Sequence, residues 1–156
     1  MREAIQHERL RQLYDYWEGK RGNRLMPART DIDPVEIPGL LPNLILIDVE
    51  RGERNRYRFR LYGTEVCAIR GADLTGRYIE EPGITQLRDA AIESYDRIVA
   101  DRKPVYQCHK FQPDDYVIGY YHRLVLPLGE QEEVRMLLIG FYRVYDRPAH
   151  LPPQGS

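Results

Sequence analysis

The sequence predicts an α+β fold whose elements follow the order helix, two strands, helices, three strands. Three observations indicate it. Apolar residues recur at helical spacing near the N-terminus, Arg56–Tyr62 alternates strictly between polar and apolar side chains, and three strand-like runs near the C-terminus are separated only by short turns. A chain of 156 residues is expected to form one domain.

The first element is a predicted helix over Ala4–Glu18, which Gly19 and Gly22 are expected to end. Its apolar stripe falls at i, i+3, i+4 and i+7 and comprises Leu10, Leu13, Tyr14 and Trp17. Further along, Asp33 is predicted to cap a short helix with Pro34 at its first position.

Two strands are predicted next. The apolar run Leu44–Val49 has strand length and is typical of a central strand. In the alternating segment Arg56–Tyr62, one face carries Tyr57, Phe59 and Leu61, and arginines take the other. A short helix is expected over Gly63–Arg70, closed by Gly71, and residues 73–83 are expected to be irregular.

The clearest helix is predicted over Ile84–Asp101, with the stripe Ile84, Leu87, Ala91, Tyr95 and Ile98. Three strands then complete the sheet as consecutive hairpins: Val105–Phe111, Tyr116–Leu126 and Val134–Tyr145, with turns at residues 113–115 and at Gly129. The last strand is apolar on both faces, so the N-terminal helix or a second subunit must cover its outer face.

Composition narrows the function classes. The net charge of −1 gives no global attraction to nucleic acid or to an anionic membrane. No apolar run approaches the ~20 residues that span a bilayer, and no secretory signal core begins the chain, so a cytoplasmic location is expected. Two cysteines, Cys67 and Cys108, are expected to be reduced thiols.

Catalytic and metal-binding motifs are lacking in the sequence. It contains no Gly-x-Ser-x-Gly motif and no phosphate-binding glycine loop. Cys108 and His109 are adjacent on a predicted strand and therefore point to opposite faces, so they do not form the start of a zinc site. We predict that the chain is not an enzyme and holds no metal.

Several motifs carry a resemblance to a known family. They are Tyr16-Trp17, Pro27-Ala28-Arg29, Asp31 with Asp33-Pro34, Ile37-Pro38, Leu40-Leu41-Pro42, Tyr57-Arg58-Phe59-Arg60-Leu61, Gly63-Thr64 and Gly71-Ala72-Asp73-Leu74-Thr75-Gly76. From about residue 14 to residue 145 the chain resembles the single-domain PAS family found mainly in alphaproteobacteria, the PAS_5 group. The motif residues to which the resemblance gives a structural role are Arg29, Asp31, Arg60, Gly63, Thr64, Gly71, Asp73 and Gly76.

The resemblance implies a five-stranded antiparallel sheet with helices on one face and a cavity between the sheet and the long helix. It also implies a sensory function and dimerisation through the N-terminal helix. We therefore expect a helical cap or dimer element over residues 1–22, a PAS-like sensor domain over 23–146, and a flexible tail over 147–156. The helix stripe Leu10, Leu13, Tyr14 and Trp17 is the predicted dimer contact.

The predicted cavity is lined by three sets of side chains: Tyr57, Phe59 and Leu61 of the second strand, Ala91, Tyr95 and Ile98 of the long helix, and Tyr120, His122 and Leu124 of the fourth strand. The inward residues of Val105–Phe111 are left unassigned. The alternative is a filled core, which would make the protein a pure protein-interaction module.

No cofactor is expected. Haem needs an axial ligand, usually histidine, and the long helix carries none. Cys67 lies in Glu-Val-Cys-Ala, which does not match the cysteine motif of flavin-binding light sensors, so we interpret it as a small buried hydrophobe. A bound small molecule of unknown identity remains compatible with the cavity.

The row Arg54, Arg56, Arg58 and Arg60 has two interpretations. It could contact phosphate or nucleic acid, because arginine binds phosphate bidentately. The favoured interpretation is a solvated outer face, partly neutralised by Glu3, Glu8, Asp15 and Glu18, because no aromatic residues interleave for base stacking. Arg60 is expected to brace the following loop through Asp48 or Asp73.

These observations predict a non-catalytic sensory domain that binds a small ligand or a partner protein. Binding would shift the packing of the sheet against the long helix, and the N-terminal helix would report that shift. A homodimer and a separate signalling partner are expected; membrane association is not, and nucleic-acid binding through the Arg54–Arg60 face is the least favoured alternative.

Overall fold

The computed structural model describes residues 1–84, 88–114 and 117–146. The three helices and five strands in this part of the chain are α1 (Glu8–Arg21), β1 (Leu44–Glu50), β2 (Arg56–Tyr62), α2 (Thr64–Arg70), α3 (Arg88–Asp101), β3 (Val105–Asp114), β4 (Val117–Glu130) and β5 (Glu133–Asp146). All strands form one antiparallel sheet in the order β2-β1-β5-β4-β3. The predicted α+β fold is confirmed. None of the described helices is long and apolar enough to cross a membrane.

Helix α1 begins and ends later than predicted. Residues Arg2–Ala4 form a separate 3₁₀ turn, and the α-helix runs from Glu8 through Gly19 to Arg21. Gly19 does not end it, because an interior glycine costs only about 1 kcal/mol and this one contacts no other element. Gly22, with φ of 59°, ends the helix.

The outer face of the sheet is covered by α1 of the same chain. Leu10 and Leu13 are fully buried, and they pack on the backbone of β5 at Gly140, where a Cβ would overlap Leu10 and lie 2.8 Å from Leu13 Cδ2. Trp17 Nε1 donates a hydrogen bond of 2.8 Å to the carbonyl oxygen of Pro127 in β4. Of the two predicted covers, the structure therefore contains the N-terminal helix.

The inner face packs against α2 and α3. The prediction that Leu61 points to this face was wrong. Phe59 pairs with Ile47, whereas Leu61 pairs with Leu46, so Arg60 is an extra residue in β2. This bulge reverses the alternation. Leu61 turns to the outer side and is 43% exposed, while Tyr62 takes the buried position.

The prediction that the fourth strand directs Tyr120, His122 and Leu124 toward α3 was also wrong. Leu124 pairs with Gly140, whose backbone faces α1, so Tyr120, His122 and Leu124 lie on the outer face rather than toward α3. Alternation shows that these three share a face, but it does not show which face is the inner one. The intervening residue Arg123 faces inward, where it contacts Tyr95 of α3.

The turn between β4 and β5 is formed by Gln131 and Glu132, not at Gly129 as predicted. Both turn residues have positive φ, 53° and 63°, as a two-residue hairpin with the right-handed strand twist requires. Gly129 instead lies at a register shift, where a Cβ would lie 2.8 Å from the carbonyl carbon of Glu133. The predicted helix residue Leu87, the turn residue Asp115 and the tail 147–156 lie outside the described residues.

Candidate functional site

Five of the nine side chains predicted to line a cavity are buried or half-buried between α3 and the sheet. Tyr57 and Ile98 are fully buried, and Phe59 and Tyr95 are 6% and 3% exposed. Ala91 is half-buried and packs against the same core. These five predicted residues do converge on one place, but in this structure they form packed core.

A cleft of about 540 Å³ opens beside this core, between the start of β2 and the first turns of α3. Its volume is within the range of small-molecule sites, about 300–1,000 Å³. It is lined by Arg54, Asn55, Glu80, Arg88, Asp89, Ile92, Glu93 and Asp96. None of the nine residues predicted to line a cavity is among them.

The lining of the cleft is predominantly acidic. The lining contains four acidic side chains and two cations: Glu80, Asp89, Glu93 and Asp96, with Arg54 and Arg88. The Arg88 guanidinium is already engaged, because Nη1 donates to the Glu80 carbonyl oxygen at 3.0 Å and Nε lies 3.6 Å from Asp89. The arrangement therefore favours a ligand that carries positive charge.

Glu80 links the cleft to β2. Its Oε1 accepts a hydrogen bond of 2.9 Å from the backbone N–H of Tyr57. Its Oε2 is buried and has no hydrogen-bond partner within residues 1–84, 88–114 and 117–146. Glu80 thus holds one carboxylate oxygen on the backbone of β2 and keeps the other as a buried acceptor.

A polar chain runs from the cleft into the core. The Tyr57 hydroxyl donates to Asp96 Oδ1, the rings of Tyr57 and Tyr95 lie 5.2 Å apart, and Arg123 donates to the Tyr95 hydroxyl. Burial, together with the hydrogen bond and negative charge of Asp96, raises the pKa of the Tyr57 hydroxyl, which therefore stays a donor. This series of side-chain contacts joins α3 to β2 and to β4.

The glycine-rich motif after β2 builds turns. Gly63 approaches the 41–43 turn so closely that a Cβ would lie 2.6 Å from the carbonyl carbon of Pro42. Gly71 and Gly76 adopt positive φ, and Asp73 Oδ1 accepts hydrogen bonds from the Thr75 backbone and hydroxyl. Thr64 is the exposed first residue of α2. None of these residues lines the cleft.

The remaining motif residues also have local partners. Asp31 accepts a hydrogen bond from the Ala28 N–H at 2.8 Å, and Arg29 donates to the Ile32 carbonyl oxygen. Arg60 lies 3.7 Å from Asp48, one of its two predicted partners. Their roles are consistent with shaping the fold rather than contacting a ligand.

Comparison with known families agrees with this architecture. The family model of the PAS domain matches residues 5–143, nearly all of the described chain. The chain belongs to the PAS domain family. We found no match among curated proteins.

As a PAS domain, the chain is a sensory or signalling module of a family that is generally non-catalytic. Within its described residues, no group of three histidine, cysteine or acidic side chains could hold a metal ion. Cys67, predicted to be a small buried hydrophobe, is half-buried; its thiol donates to the Tyr62 carbonyl oxygen, and burial raises its pKa.

The arginine row of this PAS domain has different partners from those predicted. Arg56 lies 3.8 Å from the ring centre of Tyr78, and Arg58 lies 5.9 Å from it. Asp15 and Glu18 of α1 pair with Arg2 and Arg21, because α1 packs over β4 and β5 whereas β2 is the far edge strand. Neutralisation of the row by α1 was thus a wrong prediction.

The predicted dimer stripe is occupied within the chain. Leu10, Leu13 and Trp17 are at most 2% exposed, and Tyr14 is half-buried against the same core. Dimerisation through these residues stays a prediction that a single chain does not test. The structural role of the stripe is to hold α1 on the sheet.

Proposed function

We propose that this PAS domain is a non-catalytic sensor that binds a small, positively charged ligand in the cleft between β2 and α3. The observation that supports this proposal is the acidic lining of the cleft, which continues through Asp96 into the Tyr57–Tyr95–Arg123 chain. Binding is transmitted to a partner protein, or to a second copy of the chain, by a change in how α3 packs on the sheet.

The proposed transmission step is competition for Asp96. A cation in the cleft pairs with the Asp96 carboxylate and weakens its hydrogen bond with Tyr57. The Tyr57 hydroxyl then requires another partner, because a buried donor without one costs about 1–3 kcal/mol. A free-energy difference of this size is enough for signalling, since allosteric coupling free energies are typically about 1–3 kcal/mol.

The experiment is an NMR titration of the ¹⁵N-labelled full chain with 1,4-diaminobutane, with 1,4-butanediol as the uncharged control. Saturable shifts are expected at residues 54–57, 80 and 88–96 with the diamine only. Asp96→Asn should weaken these shifts, whereas Asp101→Asn, an exposed acid at the other end of α3, should not. Equal responses to diamine and diol, or equal effects of the two variants, would contradict the proposal.

A pure protein-interaction module is the second candidate, and the packed core around Tyr57 and Ile98 favours it. Native mass spectrometry of the purified protein distinguishes the two candidates: a retained small molecule supports sensing. Light scattering of the full chain tests the proposed homodimer, and a monomer at all concentrations would contradict it.

A further inference from the structure

A second surface lies on the inner face of the sheet, at the end of β3, β4 and β5 away from the cleft. The pairing register places nine residues on one face in three rows: Gln107, Arg123 and Phe141; His109, Tyr121 and Arg143; Phe111, Gly119 and Tyr145. We refer to these nine residues as the aromatic–arginine face. It includes no aspartate or glutamate.

The rings of this face form a continuous layer. Phe111 stacks on Tyr121 with ring centres 4.3 Å apart, and Tyr121 stacks on Phe141 at 5.3 Å. The edge of Tyr145 meets Phe111 at 5.6 Å. Gly119 makes this packing possible, because a Cβ there would overlap the Phe111 ring. The layer is therefore fixed by its own contacts.

The cations of this surface lie on aromatic rings instead of beside acids. The guanidinium groups of Arg143, Arg123 and Arg70 lie 5.1, 4.9 and 4.8 Å from ring centres of Tyr145, Tyr95 and Phe141. In the described part of the chain, no carboxylate lies within 4.0 Å of any of the three. Arg143 is exposed, so its positive charge is available to an anion, whereas Arg123 is half-buried and donates to Tyr95 and Gln107.

Helices cover only the first row. Phe141 is 3% exposed beneath Arg70 of α2, and Arg123 is half-buried beneath Tyr95 of α3. Among the described residues the second and third rows form a partly open area, since His109 and Arg143 are exposed and Tyr145 is 45% exposed, while Phe111 and Tyr121 are half-buried. At normal strand spacings this open area measures roughly 10 Å by 7 Å, room for a single planar ring system.

We propose that the aromatic–arginine face binds a free mononucleotide, with its base against the ring edges of the stacked Phe111–Tyr121 layer and its phosphate at the exposed Arg143. Aromatic rings pack edge-to-face as well as face-to-face, and arginine binds phosphate bidentately. The row Arg54–Arg60 lacks this combination, because within the residues that the structure describes its arginines have one ring contact partner, Tyr78, and not a layer of rings. The open area accommodates one base, whereas single-stranded nucleic acid occupies about 4 or more nucleotides per site.

The face shares Arg123 with the contacts that lead from the cleft, but the proposal does not require a cation to bind in the cleft. It is tested by titrating the ¹⁵N-labelled full chain with AMP, adenosine and ribose 5-phosphate in parallel. AMP is expected to give saturable shifts at residues 107–111, 119–123 and 141–145. Adenosine and ribose 5-phosphate, the two halves of AMP, should each bind at least about 5-fold more weakly. Equal affinity for either half, or no saturable AMP shift up to about 10 mM, overturns the proposal.

Two variants locate the site. Arg143→Gln changes an exposed residue and is expected to weaken AMP binding about tenfold, because it removes a charged hydrogen-bond donor. Arg56→Gln is the matched control, since Arg56 is also an exposed strand arginine that lies on a tyrosine ring, that of Tyr78, but outside the face. Equal weakening by both variants, or binding only of a short oligonucleotide and not of AMP, overturns the assignment.

Discussion

Trp17 joins α1 to the sheet, and its replacement gives the sharpest test of the N-terminal packing. The side chain is 2% exposed, and Nε1 donates 2.8 Å to the Pro127 carbonyl oxygen. Trp17→Phe keeps an aromatic ring in the same place. It removes the donor, and it leaves the Pro127 carbonyl group buried without this partner.

The expected cost follows from two effects. A buried acceptor that loses its partner costs about 1–3 kcal/mol. The smaller ring leaves a void, for which we add about 1 kcal/mol. The sum of about 2–4 kcal/mol is a large part of a typical unfolding free energy of about 5–15 kcal/mol. At roughly 2–4 °C per kcal/mol for a domain of this size, the melting temperature should fall by roughly 4–16 °C.

The assay is thermal and urea unfolding followed by circular dichroism, with Tyr14→Phe as the control on the same helix stripe. Tyr14 is half-buried, and the described residues give its hydroxyl no hydrogen bond, so the control should change stability by less than about 0.5 kcal/mol. A Trp17→Phe variant as stable as that control would refute the reasoning. Trp17 is the sole tryptophan, so wild-type fluorescence also shows whether α1 detaches before the sheet unfolds.

Three further outcomes are expected. His7 stacks on Tyr142, and its pKa is lowered by burial and by the neighbouring His122; Arg9 and Arg11 add to this effect and Glu8 opposes it. The unfolded chain therefore binds more protons than the folded one, so stability should fall as the pH drops below about 6.5. His7→Phe should reduce this dependence in melting curves from pH 5 to 8. Gly63→Ala should destabilise by about 1–3 kcal/mol in urea, because the new Cβ meets the Pro42 backbone, whereas Gly52→Ala, with its nearest neighbour at 3.7 Å, is the matched control; equal effects would contradict the steric argument. Arg60→Ala should cost less than about 1 kcal/mol in thermal unfolding, since the Arg60 side chain is 64% exposed in its 3.7 Å pair with Asp48, and a larger loss would show that Arg60 braces more than this pair.

The elements that the sequence predicted well are those with local signals. Strand β2 has the predicted bounds, Arg56–Tyr62, because strict alternation needs no knowledge of its neighbours. Asp33 accepts a hydrogen bond from the Val35 N–H, as its capping role requires, and Gly71 closes α2 in the left-handed conformation. Each of these features is decided within a few residues of the chain.

The predictions that were wrong concern features that depend on residues distant in sequence. Leu61 was misplaced because the bulge at Arg60 is defined only by pairing with β1. His122 was misplaced because alternation gives relative and not absolute direction. The cleft needs α3 to be docked beside β2 and Glu80, although Asp89, Glu93 and Asp96 already form an acidic stripe at i, i+4 and i+7.

The burial of the α1 stripe constrains how this PAS domain can signal through assembly. Leu10, Leu13 and Trp17 cannot cover their own sheet and contact a second copy at the same time. Exposing three large apolar side chains costs about 5–9 kcal/mol, at about 1.5–3 kcal/mol each. That cost exceeds an allosteric coupling of about 1–3 kcal/mol. Exchange of α1 between two copies would preserve the same contacts, as would a dimer built on the exposed side of α1, so both assemblies are compatible with the proposed homodimer.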